Sequence, residues 1–251
     1  MYYAEILYAR RRLLIFAAVA VLVAAVFTYF VTFPPPNAHV VNNGQDVPFD
    51  AVLGFGGFFA TIMASMVAAS MNRSSLHLPY VWTKPASRER TALSYMLVDI
   101  LTILAAFAVV VAICSIVLAL PPRNRMTFDH QTLLMLSRSL AVPLMLYAVV
   151  EAATSWTPRR LAAAGGLIWP IGFALDFLTE INLPFPLAQV FFVLNIFNPI
   201  AYIPTIRFHS HLEISASSPL PLDFNGQTIV ALCIFVLACC IATYNWRRMQ
   251  A

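Results

Sequence analysis

Four ionisable side chains fall in stretches that are otherwise almost free of charge: Asp99, Arg138, Glu151 and Asp176. In an apolar setting such groups are costly, and their default reading is functional, as the lining of a polar pathway or as ties between helices. The competing reading is snorkelling of Arg138 toward water and interfacial placement of the three carboxylates. By count, Asp99 lies about one turn inside the start of its apolar block and Glu151 about as far from the end of the next. Arg138 sits about two turns from the opposite end of the block that holds Glu151, and Asp176 lies at the end of a further block, close to Glu180. The interfacial reading is preferred for Glu151 and Asp176. For Asp99 and Arg138 both readings stand, and their different depths argue against their pairing with each other. None of the four forms a recognisable proton relay.

Other chemistry is sparse. His39, His77, His130, His209 and His211 are scattered among loops, and neither H-E-x-x-H nor G-x-S-x-G occurs. His209 and His211, two positions apart, read as solvent-facing rather than as a metal site. Cys114, Cys233, Cys239 and Cys240 fall within apolar blocks without zinc-ligand spacing, so they read as small packing residues, with no disulfide and no metal expected. The phosphate loop G-x-x-x-x-G-K-[ST] is absent and the one lysine is Lys84, so ATP binding by this chain alone is not expected. No catalytic residue is assigned, and an enzyme is disfavoured.

The blocks around these residues dictate the architecture. Apolar residues make up 61% of the 251 positions and charged residues 10%, where a soluble domain carries roughly 25% charge. A soluble core of this size cannot hide that much apolar surface, but lipid can. Residues 13–33 run without a charge, long enough at about 1.5 Å per residue to cross a hydrocarbon layer of roughly 30 Å. Unbroken apolarity over that length excludes barrel strands, which alternate over about ten residues. The expected fold is therefore all-α, a single transmembrane bundle over 1–251 with spans at about 13–33, 51–71, 96–120, 131–154, 161–178 and 228–244.

The stretch 183–206 is apolar but interrupted by Pro184, Pro186, Pro199 and Pro204, with Asn182, Asn195 and Asn198 among them. Proline breaks the helical ladder and asparagine needs partners, so a re-entrant or interfacial helical hairpin fits better than a straight span. Charge supports this. Basic residues cluster at Arg10, Arg11 and Arg12, at Arg73 to Arg90, at Arg159 and Arg160, and at Arg247 and Arg248, in alternate loops and at both ends. Six spans put every cluster in the cytoplasm. A seventh at 183–206 would throw Arg247 and Arg248 outside.

An N-terminal apolar stretch after arginines can also be a signal peptide, but such regions are about 7–15 residues long. This one is longer and ends in Pro34, Pro35 and Pro36, so it reads as a retained helix. Residues 1–12 read either as an interfacial segment or as a topogenic anchor. Small residues at Gly54, Gly56, Gly57, Ala60, Ala64 and Ala68 give span two close-packing faces, and Gly165, Gly166, Pro170 and Gly172 make span five bendable or broken.

The loop 72–95 reads NRSSLHLPYVWTKPASRERTALSY. Ser87 followed by R-E-R has the form of an N-cap and a first helical turn, with Glu89 well placed near a helix N-terminus. Tyr80, Val81 and Trp82 supply apolar surface that a solvated linker would not need. A basic loop carrying aromatics fits a headgroup layer or a soluble partner. A topogenic role accounts for the charges but leaves the aromatics idle.

In the order of its parts the chain resembles the permease subunit of ABC-2-type transporters, of the type V exporter fold. The matching residues are Lys84, Pro85, Ser87 and Arg88 in a K-P-x-S-R form, with residues 2–12 in the place of the connecting helix and 182–206 in that of the external hairpin. The resemblance implies two permease subunits, alike or different, forming a pathway in a bacterial inner membrane, with both termini cytoplasmic. Separate ATP-binding cassette subunits would carry ATP and Mg, and this chain no cofactor. It also implies that the loop is a coupling helix, contacting the ATPase through Tyr80, Trp82, Lys84, Pro85, Ser87, Arg88 and Glu89. Glu5, Arg10, Arg11 and Arg12 would lie on the connecting helix, and the external hairpin would form an outer gate. Partners are the ATPase, a second permease subunit and lipid, with no nucleic acid. The alternative is an accessory or structural subunit of another membrane complex. Val98 and Asp99, where such permeases carry a small residue and a lysine, fit that alternative. The substrate is not legible. One lysine against fourteen arginines points to a GC-rich bacterial genome. Six spans predict that a membrane-impermeant label reacts at residue 190 from outside and at residue 251 only from the cytoplasm; the reverse pattern overturns the topology.

Overall fold

A computed structural model of the protein describes residues 9–23, 47–71, 88–119, 126–128, 130–155, 169–175, 177–178, 184–202, 206–208, 212–214 and 223–248. Helix α1 covers 9–23, α2 Phe49–Met71, α3 Arg88–Ala119 and α4 His130–Thr154. A short helical stretch α5 covers 169–175, α6 runs Leu187–Ile196 and leads into a 3-10 turn Pro199–Tyr202, and α7 spans Phe224–Arg248. Three of these, over Ala92–Val117, Thr132–Thr154 and Asn225–Arg248, are long and apolar enough to cross a membrane. The 23 residues of α2 carry a further apolar stretch, Val52–Ala68. The fold is helical apart from two small strand pairs, β1 (Val47–Pro48) with β2 (Met126–Thr127), and β3 (Ile206–Phe208) with β4 (Leu212–Ile214).

Helix α4 is the axis of the bundle. In its membrane-length window 61% of residues are buried, against 28% in α3 and 33% in α7. One side of α4 packs with α1, α2 and α3 in a cluster that includes Phe16, Met63, Val67, Ile103, Phe107 and Leu146. Its other side packs Ala141, Val142 and Met145 against Ala231 and Ile234 of α7 and Ala201 and Tyr202 of the 3-10 turn. The outward faces stay apolar: Leu97 and Ile116 on α3 and Val236 and Leu237 on α7 are each more than half exposed. Water penalises such faces by about 25 cal/mol per Å², and a lipid solvent removes the penalty.

Contacts fix the directions of the helices. Strands β1 and β2 pair in parallel, Val47 with Met126, and each leads directly into its helix, so α2 and α4 start side by side. Ala231 and Ile234 meet the middle of α4, and Asn245 Nδ2 donates to Ser155 Oγ at 3.0 Å just past its end, so α7 runs parallel to α4 as well. Helix α3 runs the opposite way: Asp99 near its start meets Tyr147 late in α4, while Phe107 and Val111 further along meet Gly56 early in α2. Helix α7 is started by Asp223, whose Oδ1 accepts from the Gly226 N–H at 2.9 Å and so satisfies one of the free donors of a first turn.

The small residues of α2 are used as the spacing implied. Ala60, Ala64 and Ala68 are fully buried, and Gly57 lies against Ser139 of α4. Pro143 stands inside α4, four residues after Ser139, and lacks the N–H that the Ser139 carbonyl would otherwise accept from. Gly57 seats itself on that stretch of exposed backbone.

Several boundaries differ from the sequence expectation. The helical turn expected after Ser87 and the span expected from Met96 are one helix, α3, because nothing in R-E-R-T-A interrupts it. Residues 9–23 form one continuous helix, so Arg10, Arg11 and Arg12 share a helix with the apolar residues that follow them, and residues 1–8 lie outside the described residues. In the 183–206 stretch Pro186 precedes α6 and Pro199 opens the 3-10 turn, each at a place where no helical N–H is needed. Span five is described only over 169–175 and 177–178, where Trp169 Nε1 donates to Ser65 Oγ of α2 at 2.9 Å.

The packing separates two glycines. A Cβ on Gly57 would lie 3.0 to 3.2 Å from the Cβ, Cα and carbonyl oxygen of Ser139, whereas one on Gly56 would meet the Val111 Cγ2 at 2.6 Å and the Phe107 ring. Both Gly→Ala changes are expected to lower unfolding stability by about 1–3 kcal/mol. Val111→Ala should restore much of the loss in G56A, while no side-chain truncation restores G57A, as read by thermal unfolding in detergent.

Candidate functional site

The polar groups of the interior gather at two levels of α4, one toward each end. Toward its N-terminal end Arg138 is 2% exposed, and its Nη2 donates to the Tyr202 carbonyl at 2.6 Å. The acceptor is available because the chain after α6 turns in toward α4. Tyr202 Oη donates to the Ile196 carbonyl at 2.7 Å, closing the 3-10 turn on the helix before it. Asn198 Nδ2 donates to the Gly172 carbonyl of α5 at 2.9 Å and to Asn195 Oδ1 at 2.7 Å. One arginine and two asparagines thus tie the segment 184–202 to α4 and α5. A void lined by Gly54, Gly57, Thr61, Arg138, Ser139 and Tyr202 lies beside this tie and is no larger than a single water. It is too small for a substrate.

Toward the C-terminal end of α4, five groups from three helices converge. Tyr147 is fully buried and its Oη donates to Asp99 Oδ2 of α3 at 3.1 Å. Glu151 follows one turn later on the same face, 1% exposed, within electrostatic reach of Asp99 and Tyr147. From α7, Trp246 is 4% exposed and turned toward Glu151, and Cys239 stands near Glu151 and Tyr147. Glu151 Oε2 and Trp246 Nε1 make no hydrogen bond in this arrangement. Ala92 of α3 packs on Trp246, and the Ser155–Asn245 bond closes the end of the cluster.

The structure bears on two of the sequence readings. Glu151 is enclosed by protein, 1% exposed, with α7 continuing past it to Arg248. Arg138 does not snorkel, because the folded-in turn offers it a carbonyl at its own depth. Asp99 is 9% exposed and held by Tyr147, nine residues and ~13 Å along α4 from Arg138, so the two sit at different depths. Asp176, Glu5, Tyr80, Trp82, Lys84, Pro85 and Ser87 lie outside the described residues. Arg88 and Glu89 form the opening turn of α3. Arg10 and Arg11 are exposed on α1 and Arg12 is half-buried. Among the described residues no three His, Cys, Asp or Glu side chains could hold a metal ion.

Tyr147, Trp246 and Tyr202 did not stand out in the sequence, whereas Asn198 did, as an asparagine that needs partners. The signal for Tyr147 was its position four residues before a carboxylate on one helix, which puts both on the same face. Nothing local signals Tyr202, since its role is that of a backbone acceptor.

Removing the Arg138 side chain in R138M is expected to free the 195–202 segment more than it unfolds the bundle. Hydrogen bonds from charged groups contribute about 1.5–3 kcal/mol, so amide exchange there should quicken by roughly tenfold to a hundredfold while exchange in α2 and α4 changes little. Uniform acceleration would contradict the tie.

Compared with known proteins, the chain matches no family model, and no curated protein or solved structure is similar to it.

Proposed function

We propose that the chain is the membrane-spanning permease subunit of an ABC-2-type ATP-binding cassette transporter, working as an exporter. It would form the translocation pathway with a second permease subunit in a bacterial cytoplasmic membrane, and separate ATPase subunits would supply ATP and Mg. The reading is carried by α3. This helix runs 32 residues without a break from Arg88, ~48 Å by its rise, and starts directly after Lys84, Pro85 and Ser87. A rod of that kind passes any displacement of the preceding loop into the bundle without loss, and coupling requires a stiff element rather than a catalytic group.

Two further features support the reading. Helices α4 and α7 run parallel, which requires an odd number of crossings between them. A single crossing near residues 161–178, with 183–206 re-entrant, satisfies this and gives six spans with both ends in the cytoplasm. The tie from Arg138 to the Tyr202 carbonyl gives the external segment a defined seat, as an outer gate needs.

The test is purification of the full-length protein from its native membrane. A soluble ATPase with a phosphate loop should accompany it, and W82A combined with R88A should reduce its recovery by at least about tenfold, as truncation of aromatic and arginine contacts typically costs. Recovery of membrane subunits alone, with no ATPase, overturns the proposal and favours an accessory subunit of another complex.

A further inference from the structure

The void beside the Arg138 tie is walled in part by groups that can hold water. Pro143 leaves the Ser139 carbonyl without the N–H that a helix would supply four residues on. Gly57 of α2 shows where that carbonyl is turned: a Cβ on it would meet the Ser139 oxygen at 3.2 Å, and Gly57 also lines the void. In a membrane-spanning helix a backbone group freed by proline is satisfied by a hydroxyl, a neighbouring helix or an ordered water.

The hydroxyls beside the gap are an independent observation. Ser139 is 6% exposed and lines the void, and among the described residues its hydroxyl has no hydrogen-bond partner. Thr61, 1% exposed, lines the same void from α2. Its Oγ donates to the Gly57 carbonyl at 2.7 Å, which leaves the oxygen lone pairs able to accept. Burying a hydroxyl with no partner costs free energy that a hydrogen bond removes. The void has room for one water, and a water needs about two to four polar partners. Ser139 Oγ, the Ser139 carbonyl and Thr61 Oγ meet that need.

We propose that this void is a binding site for a single water molecule, which joins α2 to α4 at the proline gap. The water donates to the Ser139 carbonyl and to Thr61 Oγ, and accepts from the Ser139 hydroxyl. Those oxygens are too few for a hard cation, which takes about six or more. The rest of the wall limits the site to one molecule, since Met135 and Val142 are apolar and Tyr202 closes the side of the tied segment. The water thus restores, across to α2, the hydrogen bond that Pro143 removes within α4. The site does not depend on the transport reading.

The experiment uses the full-length protein in lipid nanodiscs, methyl-labelled at Met, Val and Thr in a deuterated background, with water itself as the probe. In nuclear magnetic resonance spectra, magnetisation from water should reach the Met135 and Val142 methyls and not those of Val67 and Val110, which are buried away from the void. In a crystal of the same chain grown from a lipid phase, one peak of density should stand within about 3.2 Å of Ser139 Oγ and Thr61 Oγ. S139A should weaken both signals, and S139A combined with T61V should abolish them. These changes remove polar atoms without adding bulk, and unchanged Val67 and Val110 shifts report that the fold is kept. Absence of either signal in the wild type, or its persistence in the double variant, overturns the proposal.

Discussion

Gly57 of α2 sits on the backbone of Ser139 of α4, and the arrangement of the bundle depends on that approach. A bare Cα is needed because Ser139 presents main-chain atoms, which cannot rotate away, within 3.2 Å of where a side chain would begin. In lipid no hydrophobic force presses helices together, so their association rests on close van der Waals contact of this kind. With α2 drawn in on one side, α4 is left with one open flank, and α7 and the 3-10 turn fill it. Burial of α4 on both sides follows, and so does the enclosure of Arg138, Ser139, Glu151 and Thr154.

Those polar groups are sorted by chemistry along the helix. The cation toward the N-terminal end is held by a carbonyl from a segment that folds back, and Asp99 toward the C-terminal end by an aromatic hydroxyl. Thirteen residues separate Arg138 from Glu151, ~20 Å along the axis. At that distance their direct attraction does little, and each end is solved locally.

What the sequence made legible was whatever depends on runs of residues. The apolar blocks marked α2, α4 and α7 to within four positions, the alanines and glycines of α2 marked its packing face, and the prolines of 183–206 marked where α6 and the 3-10 turn begin. What stayed hidden depends on which helix stands next to which. The enclosure of Glu151 by protein was not legible, because distance from the end of an apolar block says nothing of which helices stand around it. Tyr147 looked like one more apolar position, since a hydroxyl becomes informative only when Asp99 is known to face it.

The parallel run of α2, α4 and α7 has an electrostatic consequence. Each helix ends in carbonyls without helical partners, worth about half a negative charge. Three such ends are gathered at one side of the bundle. Neither α2 nor α4 has a basic residue in its last turn, whereas α7 has Arg247 and Arg248. Arg247 and Arg248 are thus the one source of positive charge in those three closing turns, so neutralisation of three gathered helix ends rests on two side chains.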